Sequence, residues 1–446
     1  MRGSLWKTRW LVPAVALALV VVACGPPPVQ EGAEPAAGEG TQLDFVVWSY
    51  SIETIQDNIA QFEQLSPGVE ISLEDHSWFD YHDIMATKFT GGNPPEVQYS
   101  SDHWLQEWVA AGWLAPLNEH CPDLAQYQGE WAPYATQGMT LDGNLYGLPY
   151  YADLLIFMYN DAKVQEAGLG GAPVDWDAVA EQASALKEQG ISEFPVAIPL
   201  KKDDPWMIEI FYSMVYSRGG AMFDGLTPVF AEPGGAAEQT LQWLHDALNE
   251  SRILDPAAME VAEPDVVKTM GAGQHIYTVL AKYNLAELNQ GQHEERGNFK
   301  MALMPGDSHS TVGFVRFYAL SQATVDQGEE TVTAACDFLN YFGGKTEGEY
   351  KVPKRWALEK GLGFANLPLY EDPEVAEAIN AWGDVELERE QAELARVKEG
   401  LAPWWGAWDI FARAQIHDAV LGQVPVQEAL QSMEARWEEF RQQHEG

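Results

Sequence analysis

The sequence predicts an α/β protein built as two lobes, each a sheet covered by helices. Apolar positions switch between strand and helix spacing over residues 43–111, in the order β-α-β-α-β-α. A second series with the same alternation begins after residue 150. No flexible stretch separates the two series, so we expect the chain to cross directly from one lobe to the other.

In the first series, three predicted strands alternate with three predicted helices. Apolar residues recur at helical spacing from Ile52 to Leu65, and Ser66-Pro67-Gly68 then ends the helix. Gly112 follows the third helix as a C-terminal stop. The predicted strands span residues 43–48, 69–73 and 96–99, and the predicted helices residues 52–65, 80–90 and 102–111.

The second series opens with a continuous apolar run at residues 154–158, which predicts a strand buried on both faces. Asp175 is placed to cap the next helix, and Gly190 to end it. Further strands are predicted at residues 194–198, 275–280, 299–304 and 314–320, and further helices at residues 206–216, 236–248 and 425–440.

The N-terminus predicts export and a lipid anchor. Residues 1–23 have the basic start and the short apolar run of a lipoprotein signal peptide. The run ends Val-Val-Ala before Cys24, which resembles a bacterial lipobox, so lipidation of Cys24 is expected; an ordinary signal peptide is the alternative. Residues 24–41, rich in Pro, Gly, Glu and Ala, predict a flexible tether at the cell membrane.

The composition is strongly acidic. Against 26 Lys and Arg residues stand 67 Asp and Glu residues, for a formal net charge of −41. Such a surface repels phosphate backbones, which argues against nucleic acid as a partner. A solvated, aggregation-resistant surface accounts for the charge, and adaptation to salt is the alternative.

Motifs typical of nucleotide, metal and hydrolase sites are missing from the sequence, so we expect neither a cofactor nor a metal. Gly344-Lys345-Thr346 is similar to the end of a phosphate loop, but Leu339 stands where that loop needs glycine. No His-Glu-x-x-His or Gly-x-Ser-x-Gly segment occurs. Cys121 and Cys336 lie outside any metal-spaced pair; in an exported protein they could form a disulfide or stay free.

Aromatic residues beside turns indicate a sugar site. Flat rings cover the apolar face of a sugar, while carboxylates and amides bind its hydroxyls. Any one tryptophan is more often part of the core than a ligand platform, but we expect a shared cleft between the rings near residue 150 and those near residue 404. The expected contacts are Trp48, Tyr50, Tyr150, Tyr151, Trp404, Trp405 and Trp408.

Two acids are expected to accept hydrogen bonds from ligand hydroxyls. Asp153 follows two tyrosines at the lip of the apolar strand, and the alternative is an acid that caps a hinge. Asp102 follows the third predicted strand, and the alternative is a plain N-cap of the next helix.

Several segments carry a family resemblance. The strongest is residues 143–160, with Tyr-Gly-x-Pro-Tyr, an acid and a closing Tyr-Asn. Residues 173–186 depart by one residue from a Pro-x-Thr-Trp-(Asp/Glu)-Glu helix. Together the segments resemble extracellular solute-binding protein family 1, the maltose-binding-protein-like components of ATP-binding-cassette (ABC) importers. The other matching segments are residues 94–97, 110–117, 270–284, 311–320 and 401–440.

The resemblance implies a periplasmic-binding-protein type II fold, in which hinge strands join two α/β lobes around a ligand cleft. Lobe 1 would span residues 42–153 and about 314–360, and lobe 2 residues 154–313 and about 361–446. Ligand contacts are implied directly after the third strand, at Ser100, Ser101 and Asp102. Stacking on the ligand is implied at Tyr283 and near Trp408.

The function implied is capture of a sugar or oligosaccharide by hinge closure and its delivery to a membrane permease. The protein would be a monomeric lipoprotein at the outer face of the membrane or in the periplasm, and not an enzyme. One alternative is another solute, such as a glycerol phosphate, for which Lys88, Lys282 and Arg316 are the few basic contacts. The other is a surface glycoside hydrolase with paired carboxylates.

Overall fold

The computed structural model describes residues 40–445, so the predicted signal peptide, Cys24 and most of the tether lie outside the described residues. Within this range no helix has the length and apolarity needed to cross a membrane. The strands are β1 (Thr41–Trp48), β2 (Val69–His76), β3 (Val97–Ser101), β4 (Thr140–Leu141), β5 (Asn144–Leu145), β6 (Gly147–Asn160), β7 (Phe223–Asp224), β8 (Thr227–Pro228), β9 (Tyr277–Ala281), β10 (Phe299–Ala302), β11 (Thr311–Leu320) and β12 (Ala395–Arg396).

Helices cover most of the remaining chain. The α-helices are α1 (Ile52–Leu65), α2 (Trp78–Thr90), α3 (Leu105–Ala110), α4 (Leu117–His120), α5 (Pro133–Gly138), α6 (Asp161–Glu166), α7 (Trp176–Glu188), α8 (Trp206–Ser217), α9 (Ala236–Asn249), α10 (Glu263–Gly271), α11 (Tyr283–Gln290), α12 (Gln322–Asp326), α13 (Glu329–Gly343), α14 (Lys351–Lys360), α15 (Pro373–Asn380), α16 (Val385–Leu394), α17 (Trp405–Val420) and α18 (Val426–Glu445). Short 3-10 helices occur at Pro122–Glu130, Pro256–Met259 and Leu367–Glu371.

The main sheet follows the order β10-β6-β11-β3-β1-β2, with β9 beside β6 and β12 beside β11. As the alternating pattern predicts, β1 pairs in parallel with both β2 and β3. The β11 strand returns antiparallel between β3 and β6. Parallel strands with helical connections at one end and antiparallel strands in the middle give a mixed α/β sheet.

The β6 strand links the two parts of this sheet. Its 14 residues extend the predicted run at both ends. Up to Leu154 it pairs with β11, and from Leu155 onward it pairs with β9 and then β10. One continuous strand therefore crosses between two sets of neighbours without a linker. The predicted lobe boundaries stay predictions.

The buried apolar side chains form two clusters, and β6 contributes to both. Cluster 1 contains the core around β1, β3 and α13, and cluster 2 the core around α7, α8, α9, α17 and α18. Alternate residues of a strand point to opposite faces. Cluster 1 accordingly receives Leu154, Ile156 and Met158 from β6, whereas cluster 2 receives Leu155, Phe157 and Tyr159.

The prediction of a strand at residues 194–198 is wrong. This segment forms only isolated bridges, from Val196 to Leu254 and Tyr277. Pro195 and Pro199 have no backbone N–H to donate to a ladder, so the apolar run stays outside the sheet. The predicted cap at Asp175 is confirmed, since its Oδ1 accepts from the backbone N–H of Ala178 at 2.7 Å.

A disulfide joins Cys121 and Cys336, which decides between the alternatives that the sequence left open. Cys121 follows α4, and Cys336 lies in α13. Their Cα atoms are 5.6 Å apart, and the bond closes a separation of 215 residues. The disulfide therefore links the segment after α4 to α13, a helix that follows the returning strand β11.

Candidate functional site

A row of functional side chains crosses three adjacent strands. Ser101 at the end of β3 is in register with Arg316 of β11, which is in register with Tyr151 of β6. Two positions away, Phe314 of β11 is in register with Asp153 of β6. Alternate residues share a face of a sheet, so two side chains from β6 and two from β11 meet on one side.

Asp102 and Arg316 form a buried ion pair at one end of this row. Arg316 Nη1 donates to Asp102 Oδ1 at 2.7 Å, and the two residues are 1% and 4% exposed. The guanidinium carbon lies 4.8 Å from the ring centre of Phe314 and 5.4 Å from that of Trp78. Burial alone would raise the pKa of Asp102, but the charges of Lys398 and Arg316 outweigh it and hold that pKa well below its usual range. Asp102 is therefore ionised at neutral pH.

Asp102 is not the N-cap of α3, the alternative that the sequence left open. That position belongs to Trp104, because α3 begins three residues later than predicted. The backbone N–H of Asp102 instead donates to the carbonyl of Val315 at 3.2 Å, which continues the pairing of β3 with β11. The Asp102 carboxylate is therefore not used to cap a helix, and its Oδ2 has no partner among the described residues.

A second buried ion pair lies close to the first. Lys398, in the connection between β12 and α17, donates to Glu209 of α8. The Lys398 ammonium lies 5.3 Å from the ring centre of Trp405, and that ring lies 6.4 Å from the ring of His103. Burial lowers the pKa of His103 to about 3, so its ring is neutral at physiological pH. Residues of cluster 2 therefore face the residues that follow β3.

Asp153 is the most deeply buried acid of the row, with 0% exposure. Its Oδ1 accepts from the backbone N–H of Leu154 at 2.9 Å. Burial raises the pKa of Asp153 to about 7, although the charge of Lys282 acts in the opposite direction. A Cβ at Gly363 would lie 2.9 Å from Asp153 Cγ, so the chain passes the carboxyl at a distance that suits glycine.

Two further acids lie beside Asp153. Lys282 donates to Glu388 at 2.7 Å, and both are buried. Tyr283 Oη donates to Glu263 at 2.9 Å, and the side-chain amide of Asn284 donates to the other oxygen of Glu263. Burial raises the pKa of Glu263 to about 7. The polar row thus continues into the region between α10, α11 and α16.

Six buried polar atoms of the site have no hydrogen-bond partner among the described residues. They are Asp102 Oδ2, Asp153 Oδ2, Glu209 Oε2, Glu388 Oε2, Arg316 Nε and Trp405 Nε1. An unpaired buried polar group costs about 1–3 kcal/mol, which a ligand that supplies the missing partner would recover. Both donors and acceptors are therefore presented at one place in the molecule.

The structure brings part of the predicted site together. Asp102, Asp153, Arg316, Tyr151 and Trp405 all belong to the row or face it. Tyr151 is partly buried and packs against both apolar clusters. Burial raises its pKa to about 12. Tyr283 borders the row through its bond to Glu263, and Ser100 is buried in β3, one residue before Ser101.

The other predicted aromatic contacts lie elsewhere. Tyr150 stacks on Tyr99 at 4.4 Å within cluster 1, where Trp48 packs on the same ring. Trp404 lies in cluster 2 against Trp437, so Tyr150 and Trp404 are in separate cores, and the shared cleft expected between the two ring pairs is wrong for these two members. The remaining two predicted contacts are Trp408, which is fully buried with its Nε1 bonded to the Met433 carbonyl, and Tyr50, which is 38% exposed next to Trp356.

Sequence reasoning missed the groups that approach the row from other elements. Glu209 gave a usable signal, because it is the one charged residue of α8, an otherwise apolar and aromatic helix. Lys398 gave none, since it lies in a charged loop segment that is typical of a solvated surface. Glu263 precedes a proline at a helix start and is indistinguishable there from an ordinary capping acid.

Comparison with known proteins identifies the class. Residues 48–349 match the family model "Bacterial extracellular solute-binding protein", so the chain belongs to this family. A protein of Brucella abortus described as a binding protein is 22% identical over 314 residues, which are 68% of this chain and 73% of that protein. The predicted family is thereby confirmed.

Solved structures confirm the fold. The sugar-binding protein MalE from Xanthomonas citri matches with a TM-score of 0.76 at 18% identity, covering 91% of this chain and 98% of that one. Maltose-bound MalE3 of T. maritima matches with a TM-score of 0.75 at 16% identity, covering 90% and 100%. The chain has the two-lobed type II fold of periplasmic binding proteins, as its sequence predicts.

Proposed function

We propose that this protein captures a sugar or oligosaccharide and delivers it to the permease of an ABC importer. The polar row carries the proposal, because it presents unpaired donors and acceptors beside aromatic rings. A hydroxyl group both donates and accepts, so a polyhydroxylated ring can satisfy Arg316 Nε and the unpaired oxygen of Asp102 together. The maltose bound to the T. maritima protein and the description of the X. citri protein as sugar-binding are in line with this ligand class.

Charge disfavours an anionic solute. Among the described residues, six carboxyl groups and four Lys or Arg side chains are buried. Each of the four cations has a carboxylate partner, as for Arg316 with Asp102 and Lys398 with Glu209. A phosphate would add negative charge to a region that already has an excess of acids, which is costly in a low-dielectric interior. We therefore set the glycerol phosphate alternative below the sugar.

Ligand entry requires the two lobes to separate. Asp102, Asp153 and Arg316 are at most 4% exposed, so a solute reaches them only when the surrounding elements move apart. A solute that contacts both sides of the row stabilises the closed arrangement by its differential affinity. The permease would then recognise the closed surface. Lipid on Cys24 and the tether would hold a monomer near that permease at high effective concentration.

The test is isothermal titration calorimetry of the purified protein against mono- and oligosaccharides. Asp153→Ala should weaken the binding of the solute found by about 1–3 kcal/mol, because it removes an acceptor from the ligand. Asp83→Ala is the matched control, since the Asp83 side chain is 94% exposed. A screen in which no saccharide binds would overturn the sugar assignment, and wild-type affinity in Asp153→Ala would remove Asp153 from the site.

The two alternatives have separate readouts. Arg316→Ala should abolish binding of a phosphate solute but only weaken binding of a sugar, because other groups of the row still bind the hydroxyls. Sustained release of reducing ends from an oligosaccharide would indicate a glycoside hydrolase, whereas the family is one of solute-binding proteins. We expect the oligosaccharide to stay intact.

A further inference from the structure

Two acids of the site have no cation of their own. Four buried pairs match one carboxylate with one cation: Asp102 with Arg316, Glu209 with Lys398, Glu388 with Lys282, and Asp409 with Arg413. Of the six buried carboxyl groups, this leaves Asp153 and Glu263. Both are less than a tenth exposed, so water does not compensate their charge.

The two acids lie in the same part of the site. One short stretch of chain reaches both: the backbone N–H of Lys282 donates to the carbonyl of Leu154, next to Asp153, at 3.0 Å, and the following residue Tyr283 donates to Glu263 at 2.9 Å. The Asp153 charge also raises the pKa of Glu263, after the larger effect of burial. Two buried carboxyl groups that are reached from one stretch of chain and lack an ion-pair partner among the described residues attract a positive charge.

Asp153 supplies an independent sign of a ligand. Its Oδ2 is fully buried and has no partner among the described residues, although its Oδ1 is bonded to Leu154. Tyr151 lies on the same strand face, two residues before it. An acceptor oxygen beside a tyrosine ring is a suitable environment for an ammonium group, which can combine a charge-assisted hydrogen bond with a cation–π contact.

We propose that the captured saccharide carries a protonated primary amine, and that Asp153 and Glu263 bind this amine. The inference rests on the proposed sugar-capturing function and narrows its ligand to an amino sugar. A neutral sugar would satisfy the hydrogen bonds of the site but would bring no cation to the two acids. Asp153 otherwise has only the charge of Lys282, which is already paired with Glu388. An amine supplies both the hydrogen bonds and the cation.

The surroundings determine how this preference depends on pH. Facing Asp153 are Lys282, Glu388, Tyr134, Tyr370, Tyr283 and Tyr151. Facing Glu263 are Tyr283, Asn284, Asp204 and Asp153. Each acid has a pKa of about 7 in the ligand-free protein, so protonation at acidic pH removes the charge that the amine needs. The amine preference should therefore be largest near neutral pH, because acidic pH protonates the two acids and alkaline pH removes the proton of the amine.

The experiment compares saccharides that differ only by an amine. Calorimetry would use glucosamine with glucose, galactosamine with galactose, and the chitosan disaccharide with cellobiose, at about pH 5 and about pH 7.5. In at least one pair we expect the amine to bind about tenfold or more tightly at the higher pH, and the ratio to shrink at the lower pH. Asp153→Asn and Glu263→Gln should each reduce the ratio, and exposed Asp83→Asn should leave it unchanged.

The outcomes separate this inference from the function beneath it. If neutral saccharides bind and no amine binds more tightly, the amine inference is overturned and sugar capture stands. An amine preference that survives in both site variants would also overturn the assignment to these acids. If saccharides of neither kind bind, the proposed function itself fails. Far-ultraviolet circular dichroism of each variant shows whether it is folded. If one of the two site variants does not fold, the other still tests the inference.

Discussion

Removing Arg316 tests whether the polar row is a set of compensated charges. In the structure the guanidinium is 4% exposed, bonds Asp102 at 2.7 Å and lies over the rings of Phe314 and Trp78. Arg316→Ala deletes this cation and leaves the Asp102 carboxylate buried. The free energy of unfolding should fall, because an ionised group in a dry site has lost its partner.

The expected loss is about 3–5 kcal/mol, the range found when one partner of a buried ion pair is removed. The remaining charge of Lys398, which also lowers the pKa of Asp102, should place the loss toward the lower end of that range. Adding Asp102→Asn to Arg316→Ala should recover part of the loss, since the uncompensated charge is then gone. Two substitutions in contact are therefore expected to be strongly non-additive.

Urea unfolding followed by tryptophan fluorescence measures these free energies. Arg389→Ala is the matched control, because Arg389 pairs with Glu393 on the surface, where the two side chains are 46% and 60% exposed. That pair should contribute at most about 1 kcal/mol. Wild-type stability in Arg316→Ala, or a double variant less stable than Arg316→Ala, would refute the charge argument.

Three further variants test separate features. Asp153→Asn should flatten the pH dependence of stability. The pKa of Asp153 is about 7 in the native state and about 3.9 in the unfolded state, so the wild-type free energy of unfolding falls as pH rises between these values. If urea titrations show the same dependence of this free energy on pH in the wild type and the variant, the prediction is wrong. Replacing Cys121 and Cys336 by serine should cost roughly 2–5 kcal/mol, since the bond closes a long loop. Trp408→Ala should cost about 3–5 kcal/mol and leave ligand affinity near wild type in calorimetry, because the ring is core; a large affinity loss in folded protein would restore its predicted stacking role.

Local patterns in the sequence predicted most of the fold. The β1 and α1 elements form where their apolar spacing places them, and Asp175 caps α7 as expected. These features depend on residues within one or two turns of each other. Residues 194–198 failed because two prolines override an apolar run that otherwise reads as a strand.

The site was predictable only on one side. Asp102 directly follows β3, and Asp153 lies between two tyrosines and an apolar run in the middle of β6, which are local signals. Their compensating groups come from far along the chain: Arg316 is 214 residues from Asp102, and Lys398 is 189 residues from Glu209. Periodicity has no information about such pairings, because they are fixed by how the sheet and helices assemble.

The position of Asp153 shows why ligand binding and lobe motion can be coupled in this fold. The β6 strand pairs with β11 up to Leu154 and with β9 from Leu155, so the acid lies directly before the point where the strand changes partners. An apolar side chain at this buried position would cost less free energy than an acid with an unpaired oxygen. In a binding protein this acid can serve the ligand. A ligand that donates to Asp153 Oδ2 acts on the same carboxyl group whose Oδ1 accepts from the backbone N–H of Leu154. The solute contact that we propose would therefore act, through a single carboxyl group, on the backbone at which β6 changes partners.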